Sequence, residues 1–175
     1  MWLSFALGLP GGTACLENAE ALTVGRWVEA DLAGGLHHAP RRLLLCDCSS
    51  AVRLDAPGTE RRWAGLQMAG GTALTPASAE GLLLNQMDID AAHEDEFNDW
   101  YDTEHLPRIA AVEGVISARR FSSDADAPRY LATYHLTNLQ VVQGTAWKEA
   151  ASTPWTARMR RHRTNLIRLG FVPAR

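Results

Sequence analysis

A chain of 175 residues, 46% hydrophobic and 21% charged, has the composition of an ordinary globular protein, enough for one domain or for two small ones around a shared core. Its net charge of -3 provides no general basic field, which argues against nucleic acid or an anionic membrane surface as a partner. The three cysteines, Cys15, Cys46 and Cys48, are too few and too odd in number to suggest a disulfide scaffold.

Trp2 to Gly8 reads as a first strand. The opening MWLSFALGLPGG lacks a basic region and its apolar run stops at Pro10. That is a poor signal peptide and too short to span a bilayer, so a cytoplasmic location is expected. Leu16 to Leu32 is expected as a helix, and Arg41 to Ser50 and Arg62 to Ala69 as strands. Cys46 and Cys48 point to one face of their strand. With no second ligand pair at zinc spacing, two small buried hydrophobes are preferred over a metal or redox pair.

Residues 71–81 form a loop-like junction. Leu82 to Asp90 then reads as a strand and Glu94 to His105 as a helix, extended by a short turn to Val112. Gly114 to Ser122 and Arg129 to Thr137 read as strands, the latter by its period of two. Asn138 starts a helix to about Ser152. Thr153 and Pro154 have the form of an N-cap and first helical residue, opening a helix to about Arg163. Asn165 to Val172 is the last strand. The order βαββαβ is the split βαβ unit of ferredoxin-like folds. The first half reads as a degenerate copy: CDCSS (Cys46 to Ser50) parallels RRFSS (Arg119 to Ser123), and RWAGLQMAG (Arg62 to Gly70) parallels RYLATYHLT (Arg129 to Thr137). The predicted fold is therefore α+β, with two ferredoxin-like units in tandem. Residues 1–70 are the degenerate half, 71–81 the junction and 82–175 the complete half, and the sheets pack as an α+β barrel within the chain. The first half lacks a second helix, which leaves sheet surface uncovered and predicts a homodimer.

The chemistry concentrates in EFNDWYDTEHLP. His105 follows Tyr101 by four residues and shares its helix face, just before Pro107 disturbs the helix. It is the candidate acid/base, with Tyr101 as hydrogen-bonding partner; its alternative role is a cap on terminal carbonyls. Trp100 can line a pocket and stack on a planar ligand. Asn85 interrupts an apolar strand, and Arg119 and His135 lie on neighbouring strands; these three are candidate substrate-binding residues. Asp88, Asp90, His93 and Glu94 fail as a calcium loop, and as a transition-metal site they lack a second cluster in the sequence, so no metal is expected. No phosphate loop, nucleophile elbow or dinucleotide fingerprint appears.

The stretch EFNDWYDTEHLP, followed by GVISARRF and the tail TPWTARMRRHRTNLIRLGF, resembles members of the dimeric α+β barrel superfamily, in particular its EthD-like branch of small bacterial proteins. The likeness covers about Leu82 to Val172 and reaches the first half only in outline. It implies two ferredoxin-like units whose sheets form a barrel, with pockets between sheet and helices. The expected activity is cofactor-independent acid/base chemistry (isomerisation, dehydration or cyclisation) on a small apolar cyclic or aromatic metabolite. The alternatives are a cofactor-free or haem-using monooxygenase and a non-catalytic binding protein.

Overall fold

The computed structural model describes residues 1–8, 21–54 and 58–174. Eight strands carry the architecture: β1 (Trp2–Gly8), β2 (Ala21–Ala30), β3 (Arg42–Cys48), β4 (Thr59–Gly70), β5 (Gly81–Ile89), β6 (Val115–Ser122), β7 (Tyr130–Leu136) and β8 (Arg163–Pro173). They close into a barrel in the order β1-β3-β2-β8-β5-β7-β6-β4. Every pairing is antiparallel. Within the first half the order is β4-β1-β3-β2, and within the second it is β8-β5-β7-β6. Two seams join the halves. One runs from Leu66 opposite Ser122 to Gly70 opposite Arg119, the other from Trp27 opposite Pro173 to Ala30 opposite Gly170.

The expected helix from Leu16 to Leu32 is corrected by β2; residues 16–20 lie outside the described residues. In ALTVGRWVEA successive residues point to opposite faces of the sheet. Thr23 reaches Asp47 on the neighbouring strand and Trp27 enters the barrel, while Leu22 and Val24 face outward. Threonine, valine and tryptophan suit a half-buried pleated surface, and β3 and β8 supply ladder partners on both sides.

Alternation along the strands gives each sheet two faces. Leu3, Phe5, Leu7, Leu43, Leu45, Trp63, Leu82, Leu84, Phe121, Leu131 and Phe171 fill the barrel interior. Helices cover the outside of the second half. A continuous helical run spans Glu94 to Ala110, comprising α1 (Glu94–Trp100), a π-type turn (Tyr101–His105) and α2 (Leu106–Ala110). The helix expected from Asn138 to Ser152 divides into a 3-10 turn (Leu139–Gln143) and α3 (Thr145–Ala150), because Gly144 between them is extended. In α4 (Pro154–Met159), the Thr153 hydroxyl accepts the Thr156 N–H at 3.0 Å, the expected cap. On the outside of the first half, Cys46 and Cys48 lie buried with Ala6, Leu44, Val52 and Leu54. Neither is in a disulfide. Burial, with Cys48 and Asp47 alongside, pushes the Cys46 thiol up to about 12, so it behaves as a small hydrophobe. Among the described residues no helix is long and apolar enough to cross a membrane.

Candidate functional site

The centre of the main helix is wider than an α-helix for a local reason. Pro107 has no N–H to give the Thr103 carbonyl, and its ring would crowd that carbonyl. The chain answers with a π turn in which the Leu106 N–H reaches the Tyr101 carbonyl. This turn brings the predicted residues together. The His105 ring stacks on Trp100 at 4.3 Å between centroids, and Tyr101 meets it edge-on at 5.1 Å. Trp100 Nε1 donates to Thr156 Oγ1 at 3.3 Å, and Thr153 Oγ1 donates to Glu104 at 2.6 Å, which ties the run to α4.

His105 is not a helix cap. The run continues to Ala110, the ring makes no capping hydrogen bond, and its buried Nδ1 has no partner. Burial, with Arg160, Arg163 and Arg120 nearby, lowers its pKa to about 3. The imidazole is therefore neutral at physiological pH.

Arg120 is the member of this cluster that the sequence reading left out. It is 1% exposed, and its guanidinium lies over Tyr101, Tyr130 and Phe97 at 4.4, 4.7 and 4.9 Å. One nitrogen donates to Asn98 Oδ1 at 2.6 Å, while Nε has no partner. Burial lowers its pKa and raises those of Tyr101 and Tyr134, so the phenols stay protonated. Tyr134 approaches the Tyr101 phenol without a well-aligned hydrogen bond. Asn85 is on the same sheet face, with Oδ1 buried and unpartnered. The available signal was the pair Arg119-Arg120 itself: adjacent strand residues point to opposite faces, so burying the strand on both sides buries two guanidiniums.

Arg119 and His135 are on the other face, inside the barrel. The sheet therefore divides the predicted substrate-binding set, and these two cannot contact a ligand held beside His105. Arg119 Nη1 donates to Asp47 Oδ1, and its Nη2 reaches Thr75 Oγ1 at 3.2 Å. Asp47 Oδ2 accepts the Thr23 hydroxyl at 2.7 Å and the Thr75 N–H at 2.6 Å. Burial opposes ionisation of Asp47, but Arg119 and these hydrogen bonds outweigh it and hold its pKa below the ordinary carboxylate value. Asp47 also escaped the sequence reading; a lone charge within LLLCDC was its signal. His135 is fully buried 5.9 Å from the Trp27 ring, neither nitrogen has a partner, and burial, reinforced by Arg119, lowers its pKa to about 3.

No protein-family model matches the chain, and no curated relative matches it. Solved structures do. A candidate monooxygenase from Fusobacterium nucleatum subsp. nucleatum superposes with a TM-score of 0.66 at 5% identity, over 99% of this chain and 92% of that one. A major regulator of staphylococcal pathogenesis gives 0.65 at 9% identity, over 100% of both chains. A haem-degrading enzyme from Listeria monocytogenes gives 0.60 at 7% identity, over 98% and 99%. The chain shares their α+β barrel fold. At such identities the likeness extends to the fold alone.

Haem is a cofactor that this fold family suggests. Beside His105, the layer between helices and sheet is filled by aromatic rings in contact: Trp100 lies 4.6 Å from Tyr101 and 5.7 Å from Phe97, and Trp147 lies 5.3 Å from Tyr134. A porphyrin needs an open slot against the ligating imidazole. Ligation runs through a ring nitrogen in the imidazole plane, and His105 is buried in this packed layer with its Nδ1 enclosed, so the described residues beside His105 do not fit the group.

Proposed function

We propose that this chain is a cofactor-independent small-molecule enzyme that removes a proton from a planar, enolisable or phenolic substrate held beside His105, between the main helix and the sheet. The observation that carries this reading is a neutral imidazole, its buried Nδ1 without a partner, set among Trp100, Tyr101 and three arginines. Alone, an imidazole with so low a pKa is a weak base. An anion forming beside it changes that balance: an enolate or phenolate is stabilised by Arg120, Arg160 and Arg163, and its charge opposes both burial, the main cause of the low pKa, and the arginine field that adds to it. The rings of Trp100 and Tyr101, packed on His105 in the ligand-free chain, would part to admit the substrate, Trp100 then stacking on it and Tyr101 donating to its oxygen. Asn85, from the same sheet face, would orient it. The shared strand order of the two halves supports their origin as tandem ferredoxin-like units at 1–70 and 82–175, with the second resembling the EthD-like branch.

Deuterium exchange tests this reading. With 2-tetralone and related planar enolisable ketones in D2O, the wild-type protein is expected to accelerate exchange at the carbon next to the carbonyl. His105→Ala should lower the acceleration at least tenfold while keeping the fold. No acceleration with any member of the panel, or an unaffected alanine variant, would remove the assignment. Oxygen uptake during exchange would instead support oxygenation of the same carbanion.

A second reading has its own observation. The ring-to-ring packing around His105 is that of a filled layer, which favours a non-catalytic binding protein. Saturable quenching of tryptophan fluorescence by the ketones without exchange would select it.

A further inference from the structure

The acidic turn after β5 lacks a second ligand cluster in the sequence, and the fold supplies one. Asp90 and His93 end the β5–α1 connection, while His162 ends the α4–β8 connection. Pairing of β5 with β8 draws the two connections together, and the Asp90 N–H donates to the His162 carbonyl at 3.0 Å. One ligand atom from each of Asp90, His93 and His162 lies within 4.8 Å of the other two. The imidazoles stack at 3.5 Å between centroids and 14° between planes, and His93 Nδ1 is 3.5 Å from Asp90 Oδ2.

The unsatisfied atoms point the same way. His93 Nδ1 is buried with no hydrogen-bond partner, which leaves a donor or acceptor of this half-buried ring without its complement. Asp90 uses only Oδ1 locally, to accept the Ala92 N–H at 3.1 Å. Its Oδ2 is left facing the histidine.

We propose that Asp90, His93 and His162 form a binding site for a divalent transition metal of the zinc class. Two imidazoles and one carboxylate are the donor set such ions prefer over calcium or magnesium, which favour all-oxygen sites. Three protein ligands leave at least one position for solvent or a ligand. Coordination requires the stacked rings to turn their nitrogens toward a common point; Asp90 is exposed and both histidines are half-buried, so solvent reaches the site. The metal would fasten the start of the main helix to the connection that carries Arg160 and leads into Arg163 at the start of β8, two of the cations near His105. The proposal is independent of any reaction at His105.

The test is titration of the full chain with Zn2+ and with Co2+. The wild type should bind one equivalent with a Kd of about 10 micromolar or tighter, and Co2+ should give a visible spectrum of four- or five-coordinate form. His93→Gln and His162→Gln should each weaken binding at least tenfold, and Asp90→Asn, which keeps the local cap, several-fold. The double variant His37→Ala/His38→Ala, at an exposed histidine pair in the β2–β3 connection, should bind like the wild type. Zn2+ should raise the melting temperature of the wild type and not of the glutamine variants. The proposal is overturned if no saturable equivalent binds, if the glutamine variants bind unchanged, or if only loss of His37 and His38 removes binding.

Discussion

Arg119 Nη1 donates to Asp47 Oδ1 at 2.6 Å inside the barrel, and both side chains are wholly shielded from solvent. The pair links β6 of the second half to β3 of the first across the interior. Neither ion has water to fall back on. Asp47→Leu or Arg119→Met alone should cost about 3–5 kcal/mol by stranding a buried charge. The double variant Asp47→Leu/Arg119→Met should recover most of that loss. Urea unfolding of the four proteins measures both effects; additive losses would show that the pair is not coupled.

Stability should fall on acidification below neutrality, and His135 should be a main cause. Its native pKa of about 3 lies below the ordinary value of 6.5. Between those pH values the unfolded chain binds a proton that the native state does not. The native state therefore holds its advantage above pH 6.5 and loses it as pH falls toward 3, at about 1.4 kcal/mol per pH unit for each such group. His105 behaves alike. His135→Leu removes two unpartnered nitrogens from the interior. It should match the wild type near pH 7 and exceed it at pH 5, read from urea midpoints. Equal pH slopes in the two proteins would refute this.

Gly70 closes the β4–β6 seam with φ +97, and a Cβ there would meet the Ala118 carbonyl oxygen at 2.3 Å. Both contact and backbone forbid a side chain. Gly70→Ala should cost about 2–4 kcal/mol, and hydrogen exchange should accelerate first in 66–70 and 119–122. Protection lost evenly over the barrel would argue against a local seam.

Self-association should be through faces of the first half. Leu22 and Val24 on β2, with Leu66 and Met68 on β4, are large apolar side chains left exposed outside the barrel. A homodimer is expected, with a mass by light scattering near twice 19.2 kDa. Leu66→Glu with Val24→Glu should return it to a monomer. A monomeric wild type at micromolar concentration would end this expectation.

The second half was readable because its signals are local. Period-two alternation over Arg129 to Thr137, the Thr153-Pro154 start and the disturbance at Pro107 each depend on a few adjacent residues, and β7, α4 and the π turn occur there. The strand at Ala21–Ala30 was missed because its partners, β3 and β8, decide its conformation, and β8 is more than a hundred residues away. The grouping of Trp100, Tyr101 and His105 followed from helical spacing. The separation of Arg119 and His135 from them did not, since alternation says that faces differ but not which face meets helices. Asp90 and His93 were visible as possible ligands, whereas His162 joins them only through the β5–β8 pairing.

A ring of strands has no rim at which another molecule can add a strand, since each of the eight is already paired on both sides. Its weakness follows from the same closure. Cutting either four-pair seam would turn the ring into one open ribbon with two unpaired edges, each a template for a neighbouring molecule's backbone. Lesions at β4–β6 or β2–β8 should therefore appear first as insolubility, ahead of any lost contact in the core, and aggregation should start from molecules that are still largely folded.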